Sequence, residues 1–170
     1  MIFLLTLLTF VYAFDFQLSK LPSSGTPSKQ LKSVAAAYNN ETNEILIFGG
    51  QNLENEQYSS TISKFNLDTL LWGEVYFGSE LKPPGLMYPI VLMQSSTKLL
   101  VLFGIAYDQI SSECYRFDLS TRTWEVAVLG GDSILGRIKG ANCEFEYNNT
   151  RYLALYGGNT YEGKSYELFL

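Results

Sequence analysis

This 170-residue chain repeats itself, and that restricts its fold more than any single motif does. Three stretches, 37–50, 92–105 and 146–158, share one pattern: a bulky apolar start, a polar turn rich in Asn, Ser or Thr, four or five apolar residues, then glycine. Gly49 to Gly104 spans 55 positions and Gly104 to Gly157 spans 53, while Phe65 to Phe117 and Trp72 to Trp124 are each 52 apart. Between these anchors, Lys64-Phe65-Asn66-Leu67-Asp68-Thr69 is echoed by Arg116-Phe117-Asp118-Leu119-Ser120-Thr121, and the third copy offers Ser165-Tyr166-Glu167-Leu168. A period near 50 made of short apolar runs belongs to stacked sheets and not to helical repeats.

Four strands are predicted per unit. The first covers 33–38, 88–93 and 142–147, and the second the apolar runs 45–48, 99–103 and 152–156. Those runs lack polar alternation, as strands covered on both faces do. The third strand is predicted over 61–67, 112–119 and 164–168, and the fourth begins at Leu71-Trp72 and Thr123-Trp124. Trp72 and Trp124 are therefore expected at equivalent, mostly buried places. Pro83-Pro84-Gly85 and Gly130-Gly131-Asp132 mark the joints, which divides the chain into units 33–85, 86–137 and a partial 138–170. An aromatic share of 15%, with 12 Tyr and 11 Phe, favours the same β reading.

An apolar strand closing on Gly-Gly, an aromatic strand beyond it and then a Trp resemble the Kelch repeat. Gly49-Gly50, Phe65 and Trp72 carry the likeness in the first unit, and Gly157-Gly158 with Tyr166 in the third. The middle unit departs from it, with Gly104-Ile105 in place of the doublet, and the third has no Trp strand. The resemblance implies an all-β fold of Kelch-type β-propeller blades, each a four-stranded antiparallel sheet. Propellers close with four to eight blades, so three units make an incomplete ring. The chain is then expected to be part of a longer product, a truncated paralogue or an assembling subunit. Phe14–Leu18 alternates like a strand, and 14–32 reads as a strand and linker that could complete the third unit.

Ile2–Tyr12 is apolar apart from two threonines, and Val11-Tyr12-Ala13 places small residues where a signal peptidase reads them. The run is too short to cross a bilayer as a helix, so residues 1–13 read as a signal peptide cut after Ala13, or else as a buried first element. Asn40-Glu41-Thr42 and Asn148-Asn149-Thr150 are glycosylation sequons, which fits a secreted or cell-surface product. Cys114 and Cys143 form either one disulfide or two buried thiols.

Composition removes several functions. The chain has no histidine, so Ser-His-Asp and Cys-His nucleophile activation and imidazole-held zinc or copper are unavailable within it. The Kelch-containing copper oxidases, whose metal needs His, resemble it in repeat only. A net charge of −5 opposes nucleic-acid binding. No catalytic residue, cofactor or metal site is expected. Sequons fall between first and second strands, so the other end of the sheets, with the loops after the second strand, is left for recognition. Tyr58, Tyr107 and Tyr161 lie there, one per copy, with Glu54, Glu56 and Asp108. Tyrosine gives wide contact area with a polar tip, and an acidic rim favours a basic protein or glycan partner or a cation. The expected function is a non-catalytic interaction module, with open edges available for self-association. The other reading is a fragment of a larger secreted propeller enzyme of galactose-oxidase-like architecture whose active residues lie elsewhere.

Overall fold

In the computed structural model of the protein, the described residues are 20–25 and 30–170, and every element among them is a strand. The leader expected over 1–13 and the strand expected over 14–18 lie outside them. Strands β1 (Ala35–Asn39), β2 (Glu44–Phe48), β3 (Ile62–Asn66) and β4 (Leu71–Val75) form a four-stranded antiparallel sheet in chain order. Strands β5 (Ile90–Ser95), β6 (Lys98–Leu102), β7 (Cys114–Asp118) and β8 (Thr123–Val126) repeat it. The third sheet holds β9 (Ala141–Tyr147), β10 (Thr150–Tyr156) and the short β11 (Leu168–Phe169).

Pairing fixes which residues are equivalent. Ile45 pairs with Phe65 and Phe65 with Trp72, as Leu99 pairs with Phe117 and Phe117 with Trp124. The carbonyls of Gly50, Gly104 and Gly158 each accept an amide, from Ser59, Ser111 and Ser165 at 2.8, 2.8 and 2.9 Å. These three glycines, 54 residues apart, are the true counterparts. The middle unit therefore lacks the first glycine of the doublet, not the second. Phe103 takes that slot with φ 59°, against 78° for Gly49 and 65° for Gly157.

The third unit also differs from expectation. Its third strand is Leu168–Phe169 instead of 164–168, and Tyr166 precedes it, so Tyr166 is not the counterpart of Phe65. The cause recurs in every copy. The hydroxyls of Ser59, Ser111 and Ser165 accept the amides of Thr61, Glu113 and Glu167 at 3.2, 3.1 and 3.3 Å. Each serine builds a local turn that delays the strand behind it.

The sheets stack through alternate residues. Leu46, Phe48 and Ile62 meet Met93, Leu99, Phe117 and Trp124 of the second sheet. The second sheet's other face, with Ile90, Leu102 and Cys114, meets Leu153 and Leu155 of the third. Trp124 is 4% exposed, edge-on to Phe48 at 5.5 Å and tilted on Phe117 at 4.8 Å. Trp72 sits on Phe65 at 4.9 Å with the same tilt, yet it is only half-buried. The expected equality of burial fails because Trp72 lies on the first sheet's outer face, away from the second sheet. Cys114 and Cys143 are both free thiols. Burial pushes the Cys114 thiol up to about 11. Cys143 is exposed on the third sheet's outer face, so that sheet's thickness separates the two.

At the end of β7, Asp118 closes the turn into β8. It accepts the Ser120 hydroxyl, the Thr121 and Ser120 amides and the Lys98 ammonium, which hold its carboxyl far below the usual carboxylate range. Asn66 does the same work uncharged in the first sheet, accepting the Asp68 and Thr69 amides. A depressed carboxyl stabilises the fold above its unfolded value of about 4 and loses that contribution as pH falls towards the folded value. Asp118→Asn, which copies the first sheet, is expected to flatten the acid limb of a melting-temperature profile between about pH 4 and pH 2. Identical acid limbs would show that the turn does not couple to protonation.

Candidate functional site

The two ends of the stacked sheets are chemically different. The Asn39 side chain donates to the Ser96 carbonyl at 2.8 Å, and Arg151 donates to the Met93 carbonyl at 2.9 Å, which brings the first turns of all three sheets to one end. Asn40 and Asn148 are exposed in those turns. At the opposite end, each second strand runs on into a two-stranded ribbon. Gln51–Asn52 pairs with Leu31–Lys32, Ile105–Ala106 with Gln109–Ile110, and Asn159–Thr160 with Gly163–Lys164.

The second ribbon turns tightly. Ala106 pairs with Gln109, so Tyr107 and Asp108 alone make the bend, both left-handed at φ 49° and 62°. A two-residue hairpin of this kind ordinarily takes Asn-Gly or Asp-Gly. Left-handed backbone costs a residue with a Cβ roughly 1–2 kcal/mol. Such strain concentrates at ligand clamps and active sites. The bend lifts Tyr107 to 85% exposure and aims Asp108 at the first ribbon. There the Tyr58 hydroxyl donates to the Asp108 carboxylate at 2.5 Å. That bond holds the Tyr58 phenol above its ordinary pKa, so it stays a proton donor. Gly85 backs Tyr58, and any Cβ there would collide with the Tyr58 carbonyl.

The first ribbon's loop is longer and folds on its own polar groups. Asn52 accepts the Glu54 amide at 2.8 Å, Asn55 accepts the Gln57 amide at 3.1 Å, and Gln51 donates to the Glu56 carbonyl at 2.8 Å. Together the two ribbons enclose a cleft of about 490 Å³ lined by Gln51, Glu56, Gln57, Tyr58, Tyr107 and Asp108, with Gly85 at its back. Two carboxylates, two carboxamides and two phenols line it, and no Lys or Arg does. It can accept hydrogen bonds from a cationic or polyhydroxylated group.

Of the expected site residues, Tyr58, Tyr107, Glu56 and Asp108 meet in this cleft, whereas Glu54 and Tyr161 stand outside it. Tyr161 is 65% exposed on the third ribbon. The three tyrosines are not equivalent either. Tyr107 and Tyr161 occupy ribbon tips, between Ala106 and Gln109 and between Thr160 and Gly163. Tyr58 faces Gln51 on a stem, where the other copies have Ile110 and Lys164. Gln51 and Gln57 join the site without any sequence signal beyond their place in the loop.

Among the described residues no group of three or more His, Cys, Asp or Glu is placed to hold a metal ion, and no helix is long and apolar enough to cross a membrane. No protein-family model matches the chain, and no curated protein matches it.

Proposed function

We propose that this chain is a secreted or cell-surface binding module whose three sheets are consecutive Kelch-type propeller blades, and that its first two ribbons receive a basic group of a partner. The observation that carries this reading is the Tyr58–Asp108 hydrogen bond, which joins residues 50 positions apart into one acceptor-rich cleft without a cation of its own. Support for Kelch-type units comes from two four-stranded meanders in matching register and from three glycines at one 54-residue interval. The sequons at the far end leave the cleft clear of any glycan. An acidic site raises the encounter rate with a basic partner more than it sets final affinity.

Calorimetric titration with an arginine- and lysine-rich peptide tests the reading. Tyr58→Phe and Asp108→Asn are each expected to weaken binding about tenfold or more, the scale of a hot-spot residue. Tyr161→Ala and Asn40→Gln should leave it unchanged. Asp108→Gly should weaken the complex while leaving stability within about 1 kcal/mol of the parent, because relief of the left-handed bend offsets loss of the bond to Tyr58. Equal affinity across the Tyr58 and Asp108 variants would remove the cleft as the site.

A further inference from the structure

The outer face of the third sheet is an apolar surface that the described residues leave uncovered. All of β9 is exposed, and Phe145 stacks on Tyr152 at 5.4 Å beside Tyr147 and Tyr156, which are 64% and 52% exposed. Contiguous apolar patches of this kind mark interaction surfaces. Its residues have a counterpart inside the molecule. Ala141 pairs with Tyr156 and Cys143 with Ala154, in the register in which Ala35 pairs with Phe48 and Ala37 with Leu46. The latter four form the face that the first sheet presses onto Trp124 of the second.

The complementary half is on the same chain. On the first sheet's outer face, Tyr38, Ile45 and Trp72 hold the register positions of Met93, Leu99 and Trp124. Tyr38 is 53% exposed there, and Ile45 and Trp72 are half-buried. From these two faces we infer that the occupant of the third sheet's outer face is the first sheet of a second copy of this chain. The contact is head to tail and continues the internal stack, with Tyr156 of one copy meeting Trp72 of the next as Phe48 meets Trp124. The contact residues named on the two faces are uncharged, and Glu74, two positions beyond Trp72, lies on the same face as Trp72, so the match rests mainly on shape and apolar area. A head-to-tail contact uses two different patches, which separates it from a symmetric one that pairs a patch with itself.

Sedimentation velocity over a concentration series, with Tyr156→Glu and Tyr38→Glu variants, tests this directly. The unaltered chain should associate, and each variant alone should do so about 100-fold more weakly, as loss of an interface anchor predicts. Mixed in equal amounts, the two variants should recover a 1:1 pair, because one intact first-sheet face then meets one intact third-sheet face. That recovery also shows that both are folded; should either prove unfolded by near-ultraviolet dichroism, Tyr147→Glu and Ala36→Glu replace them. Alkylation of Cys143 should slow as concentration rises, since Cys143 lies within the contact. An unaltered chain that stays monomeric to about 100 µM overturns the inference. So does a Tyr156→Glu variant that associates alone, or a mixture of folded variants that stays monomeric.

Discussion

Replacing Trp124 by alanine is expected to lower the unfolding free energy by about 3–5 kcal/mol, while the same change at Trp72 costs about 1–2 kcal/mol. The two residues have the same strand position, the same Phe partner and nearly the same ring tilt, 46° and 45°. Only their surroundings differ. Trp124 is walled by Phe48 of the neighbouring sheet and by Phe77, both edge-on, so its removal opens a cavity that two rigid sheets cannot close. Trp72 has Gly25 against its backbone and solvent over part of its ring, so less apolar area is lost with it. Urea denaturation of the two variants under dilute conditions measures the contrast. Equal losses would mean that stacking between sheets contributes no more than contacts within one.

The second large effect is expected at Gly136. A Cβ there would collide with the Ser111 carbonyl and the Ser112 backbone, and the Gly136 amide donates to the Ser112 hydroxyl at 2.9 Å. Neither neighbour is the free end of a flexible side chain, so the backbone itself must move. Gly136→Ala should cost about 3 kcal/mol, the upper end for overpacked sites. Gly130→Ala, with open space around its Cβ, should fall within about 0.5 kcal/mol of the parent. Gly85 holds the corresponding place against Tyr58 in the preceding unit. If Gly130→Ala and Gly136→Ala melt together, the close approach of the joint to the ribbon is not a determinant of stability.

Much of the architecture can be read from residues because the hydrophobic effect writes it there. The uninterrupted apolar runs at 45–48, 99–103 and 152–156 coincide with β2, β6 and β10 nearly residue for residue, although only β6, in the middle sheet, is covered on both faces, whereas β2 and β10 each leave one face open. Asn66 and Asp118 do not read as turn residues, since both fall inside predicted third strands, yet each closes a turn by accepting amides two and three positions on. What stays hidden is set by backbone angles and by neighbours. A search for glycine doublets pairs Gly49 with Gly104, whereas hydrogen bonding pairs Gly50 with Gly104. The serine turns at 59, 111 and 165 look like ordinary loop polarity until their hydroxyls are seen to delay the third strands.

The site was half legible for similar reasons. Counting one tyrosine per loop found Tyr58 and Tyr107, yet loop length, six residues against two, places the first on a stem and the second on a tip. The left-handed Tyr107-Asp108 bend has no sequence signature, because the usual one is Asn-Gly. Burial of Trp72 was equally unreadable, for identity says nothing about which sheet stands opposite.

Phe103 shows what such hidden geometry allows in a chain of repeated units. Its slot is left-handed in every copy, and two copies fill it with glycine. Phe103 sits there 1% exposed, within the core shared by the second and third sheets. The conformational penalty of about 1–2 kcal/mol is offset by burying a ring, which contributes about 1.5–3 kcal/mol. Repeated units can thus differ in the residues that mark them while the chain path stays common. Equivalence between the units of this molecule is better traced by dihedral angle than by residue identity.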